Sequence, residues 1–75
     1  MTSAPDWLDM PGLDHEAKVE MVTTLILLRE GNPLAGELLA PPPDDAAQEL
    51  RRTFLRSTVA WLSAQRMVRD GRLIL

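Results

Sequence analysis

The stretch of sequence that decides the fold is DAAQELRRTFLRSTVAWLSAQRMVR, which occupies residues 45–69. It contains neither glycine nor proline, and its apolar side chains recur at the three- and four-residue intervals of a helix. Asp44 or Asp45 caps it at one end, where Asp45 and Gln48 have the spacing of a capping box, and Asp70-Gly71 forms a stop signal at the other. We therefore predict one uninterrupted helix of about 25 residues, roughly 37 Å long.

The apolar side chains of this helix fall into two rows when they are placed at about 100° per residue. The first row is expected to pack inside the domain and consists of Leu50, Phe54, Trp61 and Val68. The second row is expected to face outward and to meet a partner chain, and with its bordering arginines it consists of Arg51, Leu55, Val59, Leu62, Arg66 and Arg69. An apolar strip bordered by arginine has the composition of a protein interface, where arginine is enriched.

A second helix is predicted earlier in the chain, from Asp14 to about Glu30. Asp14 is a good N-cap, and Gly31 supplies the left-handed residue that commonly follows a helix. Pro33 then prevents continuation. The run Met21–Leu28 is rich in β-branched residues, so a buried strand is the alternative for this segment.

The segment between these two helices is predicted to contain a short connecting helix. Asn32-Pro33 has the form of an N-cap followed by a first helical residue, which opens a helix over residues 34–39. The three prolines at 41–43 end it and act as a stiff extended spacer. At the other end of the chain, residues 72–75 are expected to form a short strand or an apolar tail.

The first 13 residues are expected to form an irregular, extended lead, because Pro5, Pro11 and Gly12 prevent a continuous helix. Within it, Asp6–Met10 alternates acids with large apolar side chains. This segment either docks on a groove, or Trp7 and Leu8 fold back over the core of the domain. The predicted fold is all-α, with two main antiparallel helices, and residues 14–75 form a single helical domain.

Length and composition restrict the ways in which this chain gains stability. A domain of 75 residues has a core that supplies about 3–5 kcal/mol of net stability without a covalent or metal staple. The absence of cysteine excludes disulfides and thiolate metal sites. We expect a cytoplasmic protein, because the N-terminus lacks a secretory pattern and no apolar run approaches the ~20 residues of a membrane helix.

The residue pattern offers no catalytic machinery, and we predict neither an enzyme nor a cofactor. The serines lack the glycines of a nucleophile elbow, and His15, the single histidine, lies at a predicted helix start. No glycine-rich phosphate loop is present. The acids Asp6, Asp9 and Asp14 do not have the spacing of a calcium loop, so no metal site is predicted.

The charges are sorted along the chain. Residues 1–49 carry ten acidic and two basic side chains, whereas residues 50–75 carry six arginines and one aspartate, and the whole chain has a net charge of −3. The arginines are expected to pair with the acidic first half or with an acidic partner.

We predict a small interaction protein, either homo-oligomeric or an accessory subunit or inhibitor of a larger bacterial or phage complex. The alternative is a nucleic-acid-binding regulator that uses the arginine-rich helix, which the net acidity disfavours.

Overall fold

The computed structural model describes residues 2–3 and 12–74, and within them the chain is all-α apart from a two-stranded ribbon, which confirms the predicted class. The elements are β1 (Thr2–Ser3), α1 (His15–Arg29), α2 (Ala35–Leu38), α3 (Asp45–Arg56), α4 (Val59–Asp70) and β2 (Leu73–Ile74). The strands β1 and β2 pair antiparallel. The Asp6–Met10 segment, with Trp7 and Leu8, lies outside the described residues.

The run Met21–Leu28 is helical, so the alternative of a buried strand is wrong. Asp14 caps α1 by accepting a hydrogen bond from the Ala17 amide at 2.7 Å. The buried hydroxyl of Thr23 donates to the Val19 carbonyl at 2.7 Å, one helical turn back. Because this hydroxyl finds its partner within the helix, a β-branched polar residue is accommodated in the core without an unsatisfied group.

The end of α1 is a Schellman motif built on Gly31, as the glycine predicts. Gly31 has φ 77°, its amide donates to the Leu28 carbonyl, and the Asn32 amide donates to the Leu27 carbonyl at 2.9 Å. The Asn32 side chain then accepts from the Leu34 amide at 2.9 Å and starts the turn into α2. The connecting helix is therefore present, although it is shorter than predicted.

The single long helix predicted over residues 45–69 is wrong, because it breaks into α3 and α4 at Ser57-Thr58. Thr58 adopts extended backbone, with φ −89° and ψ 151°. The Ser57 hydroxyl donates to the Phe54 carbonyl at 2.6 Å, and the Thr58 hydroxyl donates to the Leu55 carbonyl at 2.7 Å. Each hydroxyl adds a second hydrogen bond to a carbonyl that already accepts from the backbone amide of the same residue, at 3.0 Å for Ser57 and 3.1 Å for Thr58.

The break changes which side chains enter the core. In a continuous helix, Leu55 and Trp61 would point about 120° apart, so both could not face α1. In the structure both are buried in one cluster with α1. The predicted outward position of Leu55 is therefore wrong, since it is 1% exposed, and the predicted inward position of Leu50 is also wrong, since it is 73% exposed.

One apolar core joins all four helices and β2. Its buried members come mainly from α1 and α4, and they are Val19, Val22, Ile26, Leu27, Ala35, Leu55, Ala60, Trp61, Ala64 and Leu73. Small alanines on α4 allow this helix to pack closely on α1. Among the described residues the main helices therefore number three rather than two. The face of α4 opposite its alanines is exposed to solvent.

Candidate protein-interaction surface

Two of the three arginines of α3, Arg52 and Arg56, are bound by acids of the first half of the chain. Arg52 Nε donates to Glu20 Oε1 at 2.8 Å, and its Nη1 donates to Glu49 Oε1 at 3.2 Å. Arg56, one helical turn after Arg52, forms an ion pair with Glu16, which is one turn before Glu20. Because Glu16 and Glu20 meet Arg56 and Arg52 in reverse order, α1 and α3 run antiparallel along this contact.

The local environment stabilises the charged form of Arg52. The side-chain hydrogen bond that Arg52 donates to Glu20, followed by the charge of that carboxylate, raises the pKa of Arg52 above its ordinary value. Arg56 also lies with its guanidinium carbon 6.0 Å from the centre of the Trp61 ring, within reach of a cation–π contact. These two arginines therefore hold α3 against its neighbours.

Arg51 belongs to the connection with α2 and not to an outward strip. Its guanidinium donates to the carbonyls of Leu38 at 3.1 Å and Glu37 at 3.3 Å. Both carbonyls lie at the end of α2, where the Glu37 carbonyl also accepts from the Ala40 amide at 3.2 Å. Of the six predicted interface residues, Arg51 and Leu55 therefore have structural roles in the described part of the chain.

The other four predicted residues form one exposed strip along α4, which we call the α4 strip: Val59, Leu62, Arg66 and Arg69. Val59 is 81% exposed and Leu62 is 65% exposed. The spacing of three, four and three residues places all four side chains on one face of the helix. Arg69 Nε donates to Oδ1 of the neighbouring Asp70 at 3.3 Å. Arg66 has no ion pair within the described residues.

The α4 strip continues into a shallow cavity at the end of the helix. This cavity has a volume of about 230 Å³, and its walls come from Ser63, Arg66, Met67, Asp70, Arg72 and Ile74. Arg66 and Arg72 bring two positive charges to this cavity and Asp70 brings one negative charge, beside the apolar side chains of Met67 and Ile74. Arginine suits a carboxylate or a phosphate oxygen.

A second exposed apolar surface lies on α2 and the first half of α3, and we call it the α2–α3 surface. Its exposed leucines are Leu50, at 73%, and Leu34, at 43%. They border a cavity of about 230 Å³, whose walls come from Leu34, Glu37, Leu38, Ala47, Leu50, Arg51 and Phe54. Sequence reasoning missed this surface because it placed Leu50 in the core. The sequence signal that marks this segment as different from α4 is its charge, because residues 34–50 contain four acids and no base.

A larger apolar cleft of about 470 Å³ separates α1 from α2 and α3. The charged side chains in its wall are Glu20 and Arg51, and both are already bound, one to Arg52 and the other to the α2 carbonyls. A ligand site usually adds convergent polar groups to apolar walls. This cleft lacks an available charged group among the described residues.

No family model, curated protein or solved structure matches this chain.

Across residues 2–3 and 12–74, none of the helices has both the length and the apolar character that a membrane crossing requires. The same residues contain no group of three metal-binding side chains placed to hold an ion. His15 is exposed at the start of α1, and the Ser57 hydroxyl is used by the helix break.

Proposed function

We propose that this protein is a small non-catalytic interaction protein of the cytoplasm that binds another protein chain through its α4 strip. It acts as an accessory subunit or inhibitor-like binder of a larger bacterial or phage complex, or it assembles with itself. The observation that carries this proposal is the exposure of Val59 and Leu62 on a helix whose opposite face is already packed against α1.

The chemistry of the α4 strip supports a protein partner. Complete burial of an aliphatic side chain such as Val59 or Leu62 contributes about 1.5–3 kcal/mol relative to leaving it in water. Arg66 lies one turn beyond Leu62 and adds a charged group of the type enriched in protein interfaces. The strip therefore combines an apolar centre with a cationic end, which favours an acidic partner surface.

Nucleic-acid binding is the second candidate, and the cavity that contains Arg66 and Arg72 favours it. The arginines of α3 weigh against it, because Arg51, Arg52 and Arg56 already bind carbonyls and carboxylates of this chain. A nucleic-acid site needs a dominant basic footprint, and its affinity falls steeply with salt. With a net charge of −3, the chain offers only a small cationic patch.

The test is position-specific photo-crosslinking in cells that produce the protein. A benzoylphenylalanine at position 62 should give a discrete protein adduct, and the same group at Leu28, which is 46% exposed on α1, should not. Leu62→Asp should leave the helical circular dichroism spectrum unchanged. The proposal fails if Leu62→Asp unfolds the chain, since the strip would then be core. Sub-micromolar, salt-sensitive binding to duplex DNA would instead support the second candidate.

A further inference from the structure

We infer that the α4 strip binds the α2–α3 surface of a second copy of this chain, so that copies associate head to tail. This inference rests on the proposed function, because it names the partner of the α4 strip. Both surfaces belong to the described residues, and both expose large apolar side chains. They are formed by different helices, so one copy can use both at once.

Charge makes the two surfaces complementary. The acid in the wall of the α2–α3 cavity is Glu37, which is exposed and has no ion pair among the described residues, and the α4 strip carries Arg66, which has none there either. The arginine in the wall of the α2–α3 cavity is Arg51, whose guanidinium is held by the carbonyls of Leu38 and Glu37. Glu37 of one copy can therefore pair with Arg66 of the next when two copies meet head to tail, which favours association and sets its direction.

The shapes of the two surfaces also correspond. Leu62 projects from α4, and the α2–α3 surface has a cavity of about 230 Å³ bordered by Leu34, Leu50 and Phe54. Arg66 is four residues beyond Leu62, about 6 Å along the helix axis. When Leu62 of one copy occupies the cavity of the next, Arg66 lies within reach of Glu37 in the cavity wall.

The opposite arrangement, with two α4 strips face to face, is disfavoured by charge. It would bring Arg66 and Arg69 of one copy against the same arginines of the other, and Asp70 is the one acid at the end of this face. Like charges in an interface cost binding free energy. A head-to-tail contact avoids this repulsion. Because its two surfaces differ, each added copy leaves one α4 strip and one α2–α3 surface unoccupied at the two ends of the assembly.

The test is sedimentation velocity on the full chain, from about 10 µM to about 1 mM, the range of weak specific association. The average mass should rise with concentration and fall with added salt. Leu62→Asp and Leu50→Asp should each give a single-chain mass, because each blocks one of the two surfaces. Leu28→Asp, on α1 and outside both surfaces, is the matched control and should associate as the unchanged chain does.

The decisive measurement is an equimolar mixture of Leu62→Asp and Leu50→Asp. Each variant retains the surface that the other has lost, so the mixture should form a dimer and nothing larger. Arg66→Glu mixed with Glu37→Arg should likewise recover the association that each charge reversal removes. Circular dichroism of every variant, run beforehand, establishes that a monomeric result comes from a folded chain.

The alternative outcomes separate this inference from the proposed function. A single-chain mass at every concentration overturns the head-to-tail contact, while crosslinking at position 62 to a different protein would still support the α4 strip. A dimer lost with Leu62→Asp but kept with Leu50→Asp means that two α4 strips meet, which also overturns the inference. Association unaffected by Leu62→Asp also overturns the inference, and the proposed function is then judged by crosslinking at position 62.

Discussion

The two halves of the stretch that decides the fold, α3 and α4, have equal length and opposite uses of arginine. In α3, Arg52 and Arg56 pair with Glu20 and Glu16 of α1 and hold the helix in place. In α4, Arg66 points to solvent without an ion pair among the described residues. The difference comes from the neighbours, because α3 lies beside the acidic side chains of α1, whereas α4 packs on its apolar face.

The same comparison applies to leucine. Leu55 of α3 is fully buried, whereas Leu62 of α4 is 65% exposed, although both belong to the same predicted outward row. Residue type and local periodicity are therefore poor guides to which side chains are available for binding. Availability depends on which face of each helix the rest of the domain covers.

The largest expected effect that tests this difference is the loss of a buried leucine. Leu55→Ala should lower the free energy of unfolding by about 2–5 kcal/mol, because it removes a fully buried side chain and leaves a cavity. Leu62→Ala should change it by no more than about 0.5 kcal/mol, as at an ordinary surface position. Urea unfolding followed by circular dichroism measures both, and equal losses would mean that the α4 strip is part of the core.

A smaller effect is expected at the junction between the two helices. Replacing Ser57 and Thr58 by alanine removes both hydroxyl–carbonyl hydrogen bonds and should cost about 1 kcal/mol. The break itself should remain, because it is needed to bury both Leu55 and Trp61. Backbone chemical shifts in solution give the measurement. Helical shifts running without interruption through the junction would show that the hydroxyls alone impose the break.

The smallest effect concerns the arginines. Arg52→Gln should lower the melting temperature more than Arg66→Gln, since only Arg52 has carboxylate partners within the described chain. The difference should shrink in about 1 M salt, where screening shortens the range of charge interactions to about 3 Å. Thermal melts of the two variants at low and high salt make the comparison. A larger loss from Arg66→Gln would indicate that Arg66 has an intramolecular partner.

Much of the local structure could be predicted from short-range chemistry. Asp14 caps α1, Gly31 closes it, and Gly71 closes α4 with φ 75°. Each of these features depends on hydrogen bonds within about six residues of sequence, so the residue types alone indicate them. The exposed α4 positions Val59 and Leu62 also lie where the helical periodicity predicts them.

The rest of the candidate site could not be predicted because it depends on contacts between distant segments. The predictions that Leu55 faces outward and that Leu50 faces inward are both wrong, because both assume one unbroken helix. The apolar surface around Leu50 is therefore absent from the prediction. The signal for the break was present in Ser57-Thr58-Val59, three residues of modest helix propensity. Propensity differences of this size, however, are smaller than the gain from burying Leu55 and Trp61 against α1.

By itself, then, the sequence determined the all-α class, both ends of α1, the C-terminal end of α4 and the uneven distribution of charge. These properties follow from backbone hydrogen bonding, side-chain rotamers and composition, which act locally or do not depend on the fold at all. The tertiary structure alone decided where the long helix breaks, which face of α3 is buried and which arginines remain available. Those outcomes depend on apolar burial and ion pairing between residues more than 30 positions apart, such as Glu20 and Arg52.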